Sequence, residues 1–312
     1  MNAARQDEIY AVGYRKLPEG GRTRWVPWPI ARTALALALR KRSTKMAGGV
    51  CAVTFVITAL VLVTQVIIGR LSTTLAGAGP SSALMDNAAK LVVGDTHEAL
   101  SSFIGTQLFF TAILLGVGFG GIIADDRRTG AFELYFSRPL SRLDYALGKL
   151  LAAALVPMTT IVLPFVVLWV AVVGIAPSGI SDELVGLIVP GLVTALLATL
   201  LLTTTIVGVS AVGERGRTVA VLYVTLFVIL GAAGGGLASA GYPAAGYLAP
   251  QQDLQTVADE LLGVGGISMT ASYLDLRHET NSSAILSGLA LLAFSALGLA
   301  TFALQLRKRV IG

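Results

Sequence analysis

The sequence predicts an all-α integral membrane protein that crosses a bilayer six times, and three observations lead there. The first is composition. Of 312 residues, 54% are hydrophobic and 13% are charged, whereas soluble domains carry about 25% charged residues. Too few polar side chains remain to cover a water-facing surface, so the apolar ones must face lipid or one another. The second is length. Six apolar runs, at 46–69, 101–124, 150–174, 185–212, 219–241 and 283–306, are each long enough for the ~30 Å of hydrocarbon that about 20 helical residues span. Only helices and closed barrels satisfy every backbone group in lipid, and runs this long and uniformly apolar make helices. The third is charge placement. With the N-terminus inside, 20 of the 23 Lys and Arg fall in cytoplasmic segments, leaving Arg70, Lys90 and Arg277 outside. The positive-inside rule then puts both termini in the cytoplasm. An odd number of spans would reverse the later loops and spoil the pattern.

Taken in order, residues 1–45 form a cytoplasmic N-terminal segment and 46–312 the six-span membrane domain. The first segment carries Arg5, Arg15, Lys16, Arg22 and Arg24 and has no apolar core of signal-peptide length. Within it, 29–45 is apolar on one side and cationic at its end, with Trp25 and Trp28 before or at its start. An interfacial helix on the cytoplasmic leaflet fits this pattern. A solvated basic tail is the plainer alternative, and the tryptophans and the Leu35/Leu39 spacing favour the helix. Cys51, the single cysteine, lies inside the first run and reads as a packing residue, since one cysteine makes neither an intrachain disulfide nor a multi-cysteine site.

Two outer segments, 70–100 and 242–282, are too long for simple turns. In the second, Leu254, Val257, Ala258, Leu261 and Leu262 share one helical face, with Asp253, Asp259 and Glu260 off it. This predicts an amphipathic helix at the outer membrane surface. Gly231, Gly234, Gly235 and Gly236 near the end of the fifth run permit either close helix contact or a break before a re-entrant turn. The sequence leaves both open.

The six runs hold no Asp, Glu, Lys, Arg or His. Intramembrane ionisable groups mark proton relays and ion pathways, so a proton-coupled transporter or pump is disfavoured. Gln65, Gln107, Thr111, Thr203, Thr204, Thr205 and Gln305 are among the polar groups there. They read first as bonds across helices or back to a carbonyl, and second as the lining of a translocation path. A P-loop needs G-x-x-x-x-G-K-[ST]. The nearest match, Gly148-Lys149, has Leu143 in place of the first glycine and Leu150 after the lysine. His97 and His278 are isolated in outer segments and read as surface residues. The chain is therefore expected to hold no catalytic site, metal or cofactor of its own, and no nucleic-acid partner is expected. Energy, if used, enters from elsewhere.

The distinctive segment is the cytoplasmic loop 125–149, DDRRTGAFELYFSRPLSRLDYALGK. Its pattern predicts two short amphipathic helices around Pro139, since a helix tends to end before a proline. Ser141 is placed to cap the second, with Asp144 three residues on. Phe132, Tyr135 and Phe136 set aromatic area among charges. Docking a cytoplasmic protein explains this better than solvation, and packing under the third span is the alternative.

An acidic residue, a glycine, Glu-Leu, Pro-x-Ser-Arg and a Gly-Lys opening the next span occur here as Asp126, Gly130, Glu133-Leu134, Pro139, Ser141-Arg142 and Gly148-Lys149. In this, and in six spans with both termini inside, the chain resembles the membrane subunits of ATP-binding-cassette (ABC) exporters, the ABC type-2 permeases. One departure is Ala131 where the family commonly has threonine after the glycine.

The resemblance implies that the loop is a coupling helix seated in a groove of a separate cytoplasmic ATPase, which carries the ATP and Mg. The expected coupling residues are Asp126, Gly130, Phe132, Glu133, Tyr135, Pro139, Ser141, Arg142 and Lys149. It also implies a second permease chain, identical or related, and a second ATPase contact at 213–218, through Glu214, Arg215 and Arg217. Two functions fit. One is the permease of an ATP-driven exporter. The other is a mechanical transmitter that relays ATPase motion to an extracellular or periplasmic partner without passing a substrate. The charge-free interior suits lipid-like or amphipathic molecules, and no substrate is readable. The use of 17 Arg against 6 Lys points to a high-GC bacterium, hence its plasma (inner) membrane.

Overall fold

The computed structural model describes residues 27–76, 82–131, 141–176, 181–264 and 283–308. Among these, helices joined by short turns account for the whole architecture, with no strand. We number the α-helices in chain order. They are α1 (Pro27–Arg40), α2 (Arg42–Ala76), α3 (Ser82–Phe119), α4 (Ala124–Arg128), α5 (Arg142–Pro157), α6 (Leu163–Ile175), α7 (Ser181–Val185), α8 (Ile188–Val212), α9 (Gly216–Ser239), α10 (Pro250–Leu261) and α11 (Ala284–Lys308). A π-helical segment, Met158–Val162, joins α5 to α6, and a 3-10 helix, Pro243–Leu248, lies between α9 and α10.

Six stretches are long and apolar enough to cross a membrane: Arg42–Leu71, Thr96–Arg128, Arg142–Ile175, Glu183–Val212, Gly216–Ser239 and Ala284–Arg307. They coincide with the six runs read from the sequence, so the all-α six-span class holds. Helices α2 and α3 extend well past the outer ends of their apolar runs, because helical hydrogen bonding continues after the apolar residues stop. The outer segment 70–100 is thereby taken up largely by the ends of α2 and α3.

The second span is the hub. Of its most apolar window 72% is buried, against 17% for the first span. Helix α3 packs on α2, α8, α9 and α10, and α8 packs on α11. Without a hydrophobic driving force in lipid, close contact depends on small residues. At the α8–α11 crossing a Cβ on Gly298 would fall 2.5 Å from the Thr204 carbonyl oxygen, and one on Gly208 would fall 2.6 Å from that of Gly298. Two side chains there would push the helices apart.

Several expectations need correction. The helix opened by Ser141 is not a separate short helix. It runs unbroken from Arg142 to Pro157 as the start of the third span, because its apolar residues continue straight into the membrane run. On α10, Leu254, Val257 and Ala258 are buried as expected, but so is Asp253, at 0% exposure, while Leu261 is exposed. The carboxylate is turned inward because α10 is not laid on a surface. It packs on α3, α8, α9 and α11 at once. The glycine run of α9 resolves in favour of close contact. The helix continues to Ser239, and the chain folds back so that Ala249 lies where a Cβ on Gly234 would come within 2.9 Å.

Among the intramembrane polar groups, some bond back to their own helix and others across to a neighbouring one. Thr204 and Thr205 donate to carbonyls of their own helix, Gln107 donates to the Cys51 carbonyl and to Thr54, and Thr111 pairs with Thr160.

Candidate functional site

One end of the bundle carries most of the cations, and there the loop roots of the second and third spans meet the α8–α9 turn. Helix α3 stops at Phe119. A turn over 120–123 leads to α4, whose ADDRR sequence puts Asp125 and Asp126 in its first turn and Arg127 and Arg128 in its last. Such a turn leaves backbone groups without helical partners, and buried ones must find others. Ser210 of α8 supplies them. Its Oγ donates to the Gly120 carbonyl at 2.8 Å and accepts from the N–H groups of Ile123 and Ala124 at 3.0 and 3.3 Å.

Adjacent side chains on α4 then diverge to three partners. Asp126 meets Lys149 of α5 with Nζ and Oδ2 2.5 Å apart, the side chains 21% and 6% exposed respectively. The same oxygen accepts a hydrogen bond from the Tyr145 hydroxyl at 2.9 Å, and the Lys149 Nζ stands 5.4 Å from the Tyr145 ring centre. Tyr145 and Lys149 are four residues apart and so share a helix face. A lysine this buried depends on its partner, since an unpaired buried charge costs several kcal/mol, roughly.

Arg127 reaches the end of α8. It donates to the carbonyls of Ala211 at 2.8 Å, Val212 at 3.4 Å and Gly213. These are the groups a helix C-terminus leaves orphaned, at the negative pole of its dipole. Asp125 does the converse, accepting from the Gly216 N–H at 3.3 Å at the start of α9. One five-residue helix thus caps the end of one span and the beginning of the next with charges of the favourable sign.

The remaining expected residues fall as follows. Gly130 has φ +69°, the left-handed region, and ends the α4 turn. Ser141 caps α5 in a reciprocal box: its Oγ accepts from the Asp144 N–H at 3.0 Å, and its own N–H donates to Asp144 Oδ2 at 3.3 Å. Arg142, Glu214, Arg215 and Arg217 are exposed. Phe132, Glu133, Tyr135 and Pro139 lie outside the described residues. Gly148 serves packing. A Cβ there would stand 2.8 Å from Ile30 of α1, and α1 lies along α5 with Ile30, Ala31 and Ala38 buried. Leu35 is partly buried, whereas Leu39, Leu37 and Trp28 are exposed.

Sequence reasoning missed Asp125, Arg127, Tyr145 and Ser210 as members of this cluster. The Tyr145/Lys149 spacing was a usable signal. The capping of α8 and α9 was not, because it joins groups far apart in the chain.

The far end is organised differently. There α10 is held by neutral donors around carboxylates. Ser101 Oγ donates to Asp259 Oδ1 at 2.5 Å, and Gln255 Nε2 donates to the same Asp259 oxygen at 2.8 Å and to Ser101 Oγ at 2.7 Å. Burial pushes the Asp253 carboxyl up to about 7, partly offset by a hydrogen bond from Ser287 of α11.

The architecture and this cluster stand beside two comparisons. No curated protein matches the chain. The pattern of the ABC-2 family transporter proteins matches residues 50–305, from the first span almost to the end of the last. With four-fifths of its length so matched and six apolar helices in place, the chain belongs to the ABC-2 family transporter proteins.

Proposed function

We propose that this chain is the permease subunit of an ATP-driven ABC exporter in a bacterial plasma membrane, worked by separate cytoplasmic ATPase subunits that carry ATP and Mg. Its basic end faces the cytoplasm, on the cation bias. Helix α1 lies at the membrane surface with Trp28, Leu37 and Leu39 toward lipid. Family membership supports the permease role. The observation that carries the coupling reading is the α4 cluster. Asp125, Arg127 and Ser210 tie the root of the 125–149 loop to the α8–α9 turn, and Asp126–Lys149 ties both to the third span. A partner that pulls on either loop therefore pulls on four spans at once. Phe132 and Tyr135 supply apolar anchors, with Glu133, Pro139, Ser141 and Arg142 giving stiffness and orientation. Glu214, Arg215 and Arg217 give the second contact. Two permease chains work together.

The test is co-purification of the ATPase encoded beside this chain, and its stimulation by the permease, for wild type and for Phe132→Ala/Tyr135→Ala. Interface anchors of this type supply about 2 kcal/mol each, so the double variant loses most of the bound ATPase while the spans stay inserted. Unchanged recovery and stimulation would remove the loop from the mechanism and leave 213–218 as the next contact. Orientation is checked after Cys51→Ser with single cysteines at Ser137 and Asp95. External reagent labels position 95 and spares position 137. Retained ATPase coupling with no transported compound, together with a required outer partner, would favour the mechanical transmitter.

A further inference from the structure

The third span is two α-helices joined by a π-helical segment, and its halves share α3 and α8 but differ in their other neighbours. Below the middle, α5 is fixed to the basic-end cluster through Asp126–Lys149 and to α1 through the Gly148–Ile30 contact. Above it, α6 packs on α2 and α7 and also touches α8 and α3. Trp169 Nε1 donates to the Leu184 carbonyl at 2.9 Å, and the Phe165 ring fills the space above Gly191. Between them the π-helical segment Met158–Val162 lies midway along the 142–175 span. Pro157 precedes it and Pro164 follows, so two N–H groups are missing from the helical ladder within eight residues. Sharp changes of helix direction arise at prolines and π segments, and π segments inside α-helices occur mostly at functional sites.

Hydroxyls occupy the slack. Thr159 Oγ1 donates to the Leu155 and Val156 carbonyls at 3.0 and 2.8 Å, and Thr160 Oγ1 to Val156 at 3.0 Å. The Thr160 hydroxyl also pairs with Thr111 of the hub helix α3 at 2.9 Å. Because Thr160 donates its proton to its own helix, Thr111 is the donor across the gap. Met158 and Leu163 point away from the bundle, 37% and 57% exposed, so that side of the segment has room to open.

We infer that the third span is a jointed strut. Met158–Val162 is the pivot between a lower half that moves with the basic-end cluster and an upper half that stays with α2, α7 and the outer part of α8. Thr111 and Thr160 are positioning residues that hold the joint in the conformation seen here. What drives the joint rests on the proposed function; its existence does not.

The experiment separates the two. In a Cys51→Ser background, spin labels at Leu147 and Val170 span the joint. Labels at Val189 and Val212 span the same number of residues in unbroken α8, and all four sites are exposed. Each pair would stand about 34 Å apart on a straight helix. In lipid nanodiscs without nucleotide, the distance distribution across the joint is broader than that along α8. Thr160→Val broadens or shifts it further, Thr160→Ser restores it, and neither change moves the α8 pair. A joint pair as narrow as the α8 pair and unmoved by Thr160→Val overturns the inference, whatever the ATPase does. With the ATPase bound and trapped by ATP and vanadate, the joint pair shifts by about 2 Å or more while the α8 pair stays. A stimulated ATPase with both pairs unmoved also overturns the joint as a moving part. Failure of any ATPase to bind counts against the proposed function, and the nucleotide-free comparison still decides the joint.

Discussion

The two ends of the bundle solve the same problem, holding polar groups among apolar helices, in opposite ways. At the basic end, charges are spent in opposite-sign pairs or against helix poles: Lys149 on Asp126, Arg127 on the last carbonyls of α8, Asp125 on the first N–H of α9. At the far end, carboxylates are met by neutral donors: Asp259 by Ser101 and Gln255, Asp253 by Ser287. Hydrogen bonds to an ionised group are roughly twice as strong as neutral ones and occur at both ends, but those at the basic end join four spans through one short helix. The far end secures a single helix, α10. The difference teaches that the basic end is tied together as a block, whereas α10 is held by itself around a buried carboxyl, Asp253.

The first test of this contrast, with the largest loss, is Lys149→Met. It leaves Asp126 with Tyr145 and no cation, and lowers stability by about 3 kcal/mol, the low end for a broken buried pair because Asp126 keeps some solvent access. Thermal unfolding in detergent reads it. Adding Asp126→Leu recovers much of the stability without restoring ATPase stimulation. A single variant as stable as wild type would break the picture of a load-carrying block.

Next comes Arg127→Gln, with a loss of about 2 kcal/mol, the upper range for a cation at a partly buried helix C-terminus. Hydrogen exchange at the α8–α9 turn rises, while α10 is unaffected. Faster exchange in α10 as well would mean that the ends are not independent.

Asp253→Asn sharpens the other side. The folded carboxyl holds its proton more tightly than the unfolded one, whose value is near the ordinary 3.8, against about 7 when folded. Between those values the folded state binds the extra proton, so stability falls as pH rises and the loss is complete above about 7. The asparagine variant escapes that loss. It is more stable than wild type at pH 8, by up to about 4 kcal/mol, and equal to it near pH 4. An advantage that does not change with pH would remove Asp253 as the titrating group.

The smallest effect is Gly130→Ala. It forces a side chain into the left-handed region at a cost of about 1 kcal/mol. It is read as lower stability of the α4 turn, with the Asp126–Lys149 pair intact. A neutral result would show that the turn relaxes freely outside the block.

Within the sequence, the six spans were legible because burial in lipid demands a long uninterrupted apolar run, which is a local property. Ser141 was legible as a cap because its partner Asp144 is three residues away. The 125–149 loop stood out as well, because its aromatics and charges contrast with apolar surroundings. Tyr145 could have been found from its four-residue spacing to Lys149. The roles of Asp125, Arg127 and Ser210 could not, since each acts on a backbone group that lies more than 80 residues away in the chain. Asp253 was misplaced because helical periodicity describes one face and one neighbour, whereas α10 has four neighbours and hence no outward side for that carboxylate. The sequence by itself therefore determined what must lie in the membrane. It also determined which end carries the cations, because hydrophobicity and charge are properties of residues one at a time. Only the tertiary structure decided which helix end each charge caps, which helix is the hub, and where the third span is broken in two. Those outcomes depend on which backbone groups are left without partners once the helices have packed.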